Sequence, residues 1–240
     1  MDQYEKSLQE YSTLQDTIEE TETLETAPLI SAEIPSIPEN YPQLRLDFDS
    51  LSSLNPDTVA WIYVDALDVS YPVVQTVDDE IYLHKSFGGE ENIAGCIFLD
   101  AYNNPDFTSM NTFIFGHNMR NGTMFGKLKN FYQDETAELC NSAPWIYIFQ
   151  KEQVIKYQIF SYYLVQNTSD IYRDVNTEEE YDEYIEEVTR LSLYKDYDLE
   201  QLNAASHILT LSTCSGTSGS KRFIVQAVEV ERINLVGSDS

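Results

Sequence analysis

Basic side chains are scarce in this chain of 240 residues. Its 14 lysines and arginines face 41 aspartates and glutamates, so the formal net charge is -27 at pH 7. Because nucleic-acid binding depends on basic groups that neutralise phosphates, we expect no nucleic-acid partner.

The acidic residues concentrate in residues 1–40 and 176–200. We interpret both stretches as solvated surfaces, with attraction of a cationic partner or a calcium ion as the alternative. No ordered spacing of metal ligands accompanies them, so we expect no metal and no cofactor.

Cysteines and long apolar runs are also scarce. The three cysteines, Cys96, Cys140 and Cys214, are odd in number and form no compact framework, which argues against a disulfide-stapled fold. Cys96 lies in an apolar run and Cys140 at the end of a helical stretch, so we expect both to be buried structural thiols. No run of about 18 apolar residues occurs, so the sequence contains no transmembrane helix and no apolar signal core.

The first forty residues have the pattern of a helix followed by a linker. Within residues 2–26, apolar side chains recur every three or four positions, which is typical of a helical stripe. Four prolines between residues 27 and 42 predict an extended linker. We therefore divide the chain into a helical stalk and Pro-rich linker (1–44), a main domain (45–235) and a tail (236–240).

The main domain is predicted to be mainly β with peripheral helices. Short runs rich in β-branched and aromatic residues, bounded by turn residues, indicate strands. Helical periodicity and capping residues indicate helices between them. The predicted strands are Val59–Val64, Val69–Pro72, Gly95–Leu99, Thr112–Phe115, Trp145–Phe149, Val154–Val165, Ile208–Leu211 and Phe223–Val230, and the predicted helices are Asp47–Leu54, Met124–Asn130, Gln133–Asn141 and Thr177–Leu193.

Cys214 and Arg222 mark the facing ends of the last two predicted strands, where a thiol and a guanidinium would lie side by side. A thiol is a strong nucleophile only as the thiolate, and a fixed cation favours that form and can bind a developing oxyanion. The sequence therefore suggests nucleophilic catalysis, for which the alternative is an inert buried cysteine at a strand end.

Such a nucleophile needs a proton donor and acceptor, and the chain has three histidines. His117 follows the strand that ends at Phe115, so it too would lie at the end of a strand. His84 falls in a turn, where a surface or capping role is expected. His207 precedes Ile208 and would lie at the opposite end of that strand from Cys214. His117 is therefore the candidate.

These residues carry a resemblance to a known family. The sequence TLSTC at 210–214, Arg222 eight residues later and FGHN at 115–118 together resemble a sortase, the cysteine transpeptidase of Gram-positive cell surfaces. The resemblance covers about residues 45–233. The long acidic helical segment before the seventh strand and the helical sequence before the first strand are similar to class B members.

The resemblance implies an eight-stranded β-barrel with N-terminal helices and a long helix between strands 6 and 7. It implies Cys214 as the nucleophile, His117 as the general acid and base, and Arg222, rather than Lys221 or Arg120, as the group that stabilises oxyanion and substrate. Some class B members carry acidic residues just after the cysteine. Here the neighbours are Ser, Gly and Thr at 215–217, so we place no carboxylate in the catalytic group.

By analogy of position, six residues are candidates for contact with a bound peptide. Four are apolar or aromatic, and two are small hydroxyl residues next to the cysteine. They are Ser212, Thr213, Phe115, Leu83, Ile171 and Tyr172.

The resemblance implies a monomeric enzyme that cleaves a sorting signal of the Asn-Pro-X-Thr type after Thr. The acyl group would form a thioester on Cys214 and pass to a cell-wall peptidoglycan amine. Three alternatives stay open: a class B pilin polymerase with a pilin lysine as acceptor, a cysteine hydrolase, and a noncatalytic surface adhesion module. Sortases usually carry an N-terminal membrane anchor, so we expect Met1 to follow a removed anchor and the native protein to be tethered at the extracellular face of the membrane.

Overall fold

Eight strands close into one barrel in a computed structural model, which describes residues 9–14, 37–134, 137–202, 206–215 and 220–235, without the side chains of Gln201, Cys214 and Ser215. Around the barrel the strands follow the order β1-β2-β3-β4-β7-β8-β6-β5. Their bounds are β1 (Thr58–Val64), β2 (Val69–Val74), β3 (Ile97–Leu99), β4 (Asn111–Phe115), β5 (Trp145–Phe149), β6 (Gln153–Gln166), β7 (Ile208–Ser215) and β8 (Lys221–Asn234).

Two pairs of neighbouring strands, β2 with β3 and β4 with β7, run parallel, and the others are antiparallel. Pairing of β1 with β5 closes the barrel. Strands β6 and β8 are the longest at 14 residues each, and two register shifts bend them around the barrel. A parallel pair needs a long connection. The connection from β4 to β7 contains β5, β6 and the helices between residues 129 and 191.

Helices lie outside the barrel, and their ends carry the expected caps. The Asp47 carboxylate accepts hydrogen bonds from two backbone N–H groups at the start of its helix. Thr177 and Glu180 form a reciprocal capping box at the start of the long acidic helix. The helices are α1 (residues 9–14), α2 (Phe48–Leu54), α3 (Lys129–Gln133), α4 (Glu138–Ser142) and α5 (Glu178–Leu191), with 3-10 turns at Asp65–Leu67, Ile81–Leu83 and Leu199–Gln201.

Two hydrophobic clusters share the strands β7 and β8. The larger cluster fills the barrel and includes Leu209 and Leu211. The smaller cluster lies between α5 and the outer face of the barrel and includes Ile208 and Ile224. This division follows from the alternation of side chains along a strand. The apolar stripe of α5, with Tyr181, Tyr184 and Val188 buried, completes the second cluster. The helix therefore covers one part of the barrel wall.

The predicted eight-stranded architecture is confirmed, and the main differences lie in the helices after β4. The helix predicted at 124–130 is wrong, because Met124 has a positive φ of 51° and Gly126 packs its Cα against the Met119 carbonyl oxygen. Turns occupy this segment, and α3 begins only at Lys129. The next helix is also shorter than predicted.

Cys96 and Cys140 are free and buried, as the sequence predicts. Burial raises the pKa of each thiol to about 12. Both are therefore protonated and unreactive at neutral pH.

Residues 9–14 form part of the predicted N-terminal helix, and Tyr11 and Leu14 are buried against the main cluster. The rest of that helix, most of the linker and the tail lie outside the described residues. Within the described part of the chain, no helix combines the length and apolar character needed to cross a membrane.

Candidate active site

The strand register brings three distant positions to the same level of the barrel wall. In the antiparallel pair of β7 and β8, Cys214 lies opposite Arg222. In the parallel pair of β4 and β7, Phe115 lies opposite Ser212. The hydrogen bond from the Gly116 N–H to the Ser212 carbonyl oxygen extends this contact by one residue, and His117 is the next residue, close to the level of Cys214. Because adjacent strands are about 5 Å apart, the three backbone positions are neighbours.

Backbone contacts on both sides hold His117 at this level. The Gly116 N–H donates to the carbonyl oxygen of Ser212 at 3.2 Å, which extends the contact between β4 and β7. The Phe125 N–H donates to the His117 carbonyl oxygen at 3.0 Å. A Cβ at Gly116 would lie 2.8 Å from the Phe125 ring, so only glycine allows the chain to approach this closely.

The imidazole of His117 makes one hydrogen bond that determines its tautomer. Its Nε2 atom lies 2.8 Å from the carbonyl oxygen of Leu83. A carbonyl oxygen can only accept, so Nε2 carries the proton and the neutral ring keeps its lone pair on Nδ1. Nδ1 is therefore the ring nitrogen available for proton exchange.

A groove of about 470 Å³ opens beside these strand ends. His117 and Arg222 form part of its lining, together with the predicted contacts Leu83, Phe115, Ser212, Thr213 and Tyr172. Its volume lies within the range of about 300–1,000 Å³ that is typical of ligand pockets. The Tyr172 hydroxyl and the Ser212 hydroxyl share a 2.7 Å hydrogen bond, which ties the segment before α5 to β7.

Ile171 does not line this groove. It is fully buried in the smaller cluster beneath α5, so its side chain has no exposed surface for a peptide to contact. Tyr172, the next residue, faces the groove instead. The expectation of a direct contact from Ile171 is therefore corrected, because the turn at 170–171 directs its side chain into the cluster beneath α5.

The other candidate cations and histidines do not line the groove. Lys221 is exposed and pairs with Ser215 in the register, and Arg120 is exposed after the turn that follows β4. His207 lies near the start of β7 and contacts the Glu229 carboxylate through Nδ1 at 3.1 Å. His84 is exposed, with its ring centroid 6.5 Å from that of His117.

The sequence reasoning named Phe115 and Tyr172 but missed the other members of an aromatic wall of the groove. Phe113 and Phe115 stack on the same face of β4, and Tyr172 packs against both rings at centroid distances of 5.8 and 6.1 Å. Phe98 of β3 lies 5.5 Å from Phe115. Alternation along β4 could have found Phe113, because residues two apart share a face.

It also missed three carboxylates, Asp79, Asp100 and Asp174, that line the groove. Partial burial raises the pKa of Asp79, and the negative charge of Asp100 adds to the rise. The pKa of Asp100 is raised in the same way, with Asp174 contributing. These residues come from separate loops, so no spacing in the sequence announces them. Among the described residues, no group of three or more His, Cys, Asp or Glu side chains is arranged to hold a metal ion.

Comparisons with known proteins agree with this geometry. A family model described as the sortase domain matches residues 62–230. Sortase B of Listeria monocytogenes is 30% identical over 177 residues, covering 72% of this chain and 68% of the relative. Sortase B of Staphylococcus aureus is 29% identical over 187 residues, covering 77% and 75%.

Solved structures give the same result. Sortase B from Bacillus anthracis in complex with AAEK2 has a TM-score of 0.75 at 28% identity, covering 97% of this chain and 99% of that one. A substrate complex of Staphylococcus aureus sortase B has a TM-score of 0.69 at 28% identity, covering 77% and 84%.

The chain therefore belongs to the sortase family. Within that family it is a class B sortase, a cysteine transpeptidase, as its relatives and its eight-stranded barrel both show.

Proposed function

We propose that this sortase cleaves a sorting signal of the Asn-Pro-X-Thr type after Thr and transfers the acyl group to a peptidoglycan amine. The observation that carries the proposal is that β7 and β8 pair Cys214 with Arg222, and that His117 and Arg222 line one groove of peptide-binding size. A solved relative from Staphylococcus aureus is a substrate complex, which supports a peptide as the occupant. We place the enzyme, as a monomer, at the outer surface of a Gram-positive cell.

In the first step Nδ1 of His117 takes the proton of the Cys214 thiol, and the resulting thiolate attacks the threonine carbonyl carbon, whose oxygen becomes negative. Arg222, which lines the groove, donates to that oxyanion. The C–N bond then breaks, His117 protonates the departing amine, and a thioester remains on Cys214. Arginine suits this role because its fixed fork of N–H donors matches a carbonyl oxygen that becomes negative.

In the second step an acceptor amine attacks the thioester carbon. His117 removes a proton from the attacking nitrogen, the C–S bond breaks, and Cys214 leaves as the thiolate. The product is a new amide bond, and the enzyme returns to its starting state. The aromatic wall formed by Phe113, Phe115 and Tyr172 would bind the apolar part of the signal and exclude water that competes with the amine.

Mass spectrometry of the intact enzyme tests the thioester directly. With a peptide containing the Asn-Pro-X-Thr sequence we expect an adduct whose mass equals the peptide cut after Thr. Cys214→Ala should form no adduct while remaining folded. Cys96→Ala and Cys140→Ala are the matched controls and should still form it, because both thiols are buried. An adduct that survives in Cys214→Ala, or none with any threonine-containing signal, would contradict the proposal.

The acceptor is tested by competition in the same reaction. A glycine-rich amine, representing a peptidoglycan cross-bridge, and a lysine peptide, representing a pilin, are added together with the signal peptide. We expect the amide to form with the glycine-rich amine. Preference for the lysine peptide would identify a pilin polymerase, and release of free acid despite added amine would identify a hydrolase.

A further inference from the structure

The carbonyl group of Leu83, which binds the His117 imidazole, is held in place by Gly95. A Cβ at Gly95 would lie 2.4 Å from the Tyr82 carbonyl oxygen and 2.9 Å from the Leu83 carbonyl oxygen. The Cys96 N–H also donates to the Tyr82 carbonyl oxygen at 2.9 Å. The segment 95–96 therefore packs directly behind the peptide groups that orient the imidazole.

Tyr11 of α1 in turn holds this segment from outside the barrel. Its hydroxyl donates to the Gly95 carbonyl oxygen at 2.9 Å and lies 3.3 Å from the Cys96 Sγ atom. The side chain is only 5% exposed, so water does not replace these contacts. A neighbouring contact fixes the same loop, since the Gly88 N–H donates to the Glu10 carboxylate at 2.6 Å.

Tyr11 also supports the other side of the histidine. Its ring packs edge-on against Tyr71 at a centroid distance of 5.4 Å. The Tyr71 hydroxyl accepts a hydrogen bond from the Met124 N–H at 3.3 Å. Met124 precedes Phe125, whose N–H binds the His117 carbonyl oxygen. Tyr11 thus contacts two groups that support His117: Gly95, which packs behind the Leu83 carbonyl, and Tyr71, which binds the Met124 N–H.

We propose that Tyr11 is a positioning residue for proton transfer, holding Gly95 and Leu83 so that the Leu83 carbonyl keeps His117 as the Nε2–H tautomer with Nδ1 free to exchange protons. This inference rests on the proposed role of His117. Tyr11 lies outside the segment matched by the sortase family model, which begins at residue 62. The N-terminal segment would therefore contribute to the chemistry as well as to the stability of the domain.

The test is Tyr11→Phe in the full chain, which keeps the ring and removes only the hydroxyl. We expect kcat for peptide cleavage to fall about 10-fold with KM unchanged, less than the about 100-fold that a misplacement of 1 Å can cost. Tyr41→Phe is the matched control. It removes a phenol that donates to Glu231, and its ring packs on Tyr147; neither residue lines the groove, so kcat should be unchanged. Equal kcat losses in the two variants would assign the effect to stability and overturn the proposal.

Nitrogen NMR of labelled histidine provides a readout independent of activity. In its neutral form His117 should show a protonated Nε2 and an unprotonated Nδ1, and Tyr11→Phe should increase the fraction of the other tautomer. Gly95→Ala should do the same to a greater extent if it folds. A dominant Nδ1–H tautomer in the unmodified protein, or no response to Tyr11→Phe, would overturn the proposal. If the protein cleaves no peptide but shows these signals, the proposed function fails and the positioning role stands.

Discussion

The first and last parts of strand β7 use similar polar side chains for different purposes. In the first part, Thr210 is fully buried and donates to the Asn111 side chain at 2.8 Å. Gln226 donates to the Thr210 hydroxyl and to the Tyr184 hydroxyl, and accepts from the Tyr163 hydroxyl. These contacts form a closed polar network beneath α5.

The last part of β7 has fewer such contacts and borders the groove. Ser212 shares its hydroxyl hydrogen bond with Tyr172, and the buried Thr213 hydroxyl has no hydrogen-bond partner in the described structure. The difference follows from where α5 lies: it covers the strand near Thr210, and the groove begins where that cover ends. Polar groups therefore bind one another under the helix, whereas beyond it they line the groove.

Loss of His117 should produce the largest effect on activity. His117→Ala removes the proposed acid and base, and such a group typically contributes about 100-fold to 10,000-fold in rate. Peptide cleavage should fall by that factor. The thermal unfolding midpoint should stay unchanged, because the imidazole lines the groove and is not part of the hydrophobic core. His207→Ala, at the covered end of β7, is the control and should retain activity. Full activity in His117→Ala would remove the proton-transfer role.

Arg222→Lys should have the next largest effect. It keeps the positive charge but loses the fixed fork of donors, and loss of one oxyanion donor typically costs about 100-fold to 1000-fold in kcat. Steady-state kinetics with a saturating signal peptide measures this loss. Lys221→Ala is the matched control, because Lys221 is exposed beside Arg222. A lysine variant with the full rate would exclude the oxyanion role.

The polar network beneath α5 should contribute less to the free energy of unfolding at alkaline pH. Burial raises the pKa of Tyr184 to about 12 and that of Tyr163 well above its usual range. The folded state therefore holds these protons more tightly than the unfolded chain, whose tyrosines titrate near pH 10. The contribution of Tyr184 is complete below about pH 10 and is lost as the pH rises through about 12, on the order of 3 kcal/mol.

Urea unfolding across that pH range measures the decline. Tyr184→Phe should start from a lower free energy of unfolding but decline less steeply, because one of the titrating groups is gone. Identical slopes for the two proteins would show that Tyr184 titrates alike in the folded and unfolded states.

The smallest expected effect is on stability, in a comparison of Thr210 with Thr213. Thr210→Val replaces a buried, hydrogen-bonded hydroxyl by a methyl group of similar shape and leaves Asn111 and Gln226 short of a partner. We expect it to lower the free energy of unfolding by about 1–3 kcal/mol. Thr213→Val removes a hydroxyl with no partner in the described structure, so the free energy of unfolding should not fall. Equal losses would show that the hydrogen bonds of Thr210 add no stability beyond that of a buried hydroxyl without a partner.

Most of the strands could be predicted because their residues alternate or form short apolar runs. The helices were harder to predict where tertiary contacts override local preference. The segment 124–128 has helical composition, but the positive φ of Met124 and the close packing of Gly126 turn it into a series of turns. Ile171 was expected at the groove because the sequence does not indicate which side of a loop faces the core.

The amino-acid sequence by itself determined the order of the strands along the chain, the residues able to react, and the cap that starts α5. The tertiary structure decided which strands became neighbours, and hence that positions 117, 214 and 222 share one level. It also brought Tyr11 behind Leu83. The reason is that strand pairing and loop packing depend on contacts between residues far apart in the chain, whereas periodicity and capping are properties of a few consecutive residues.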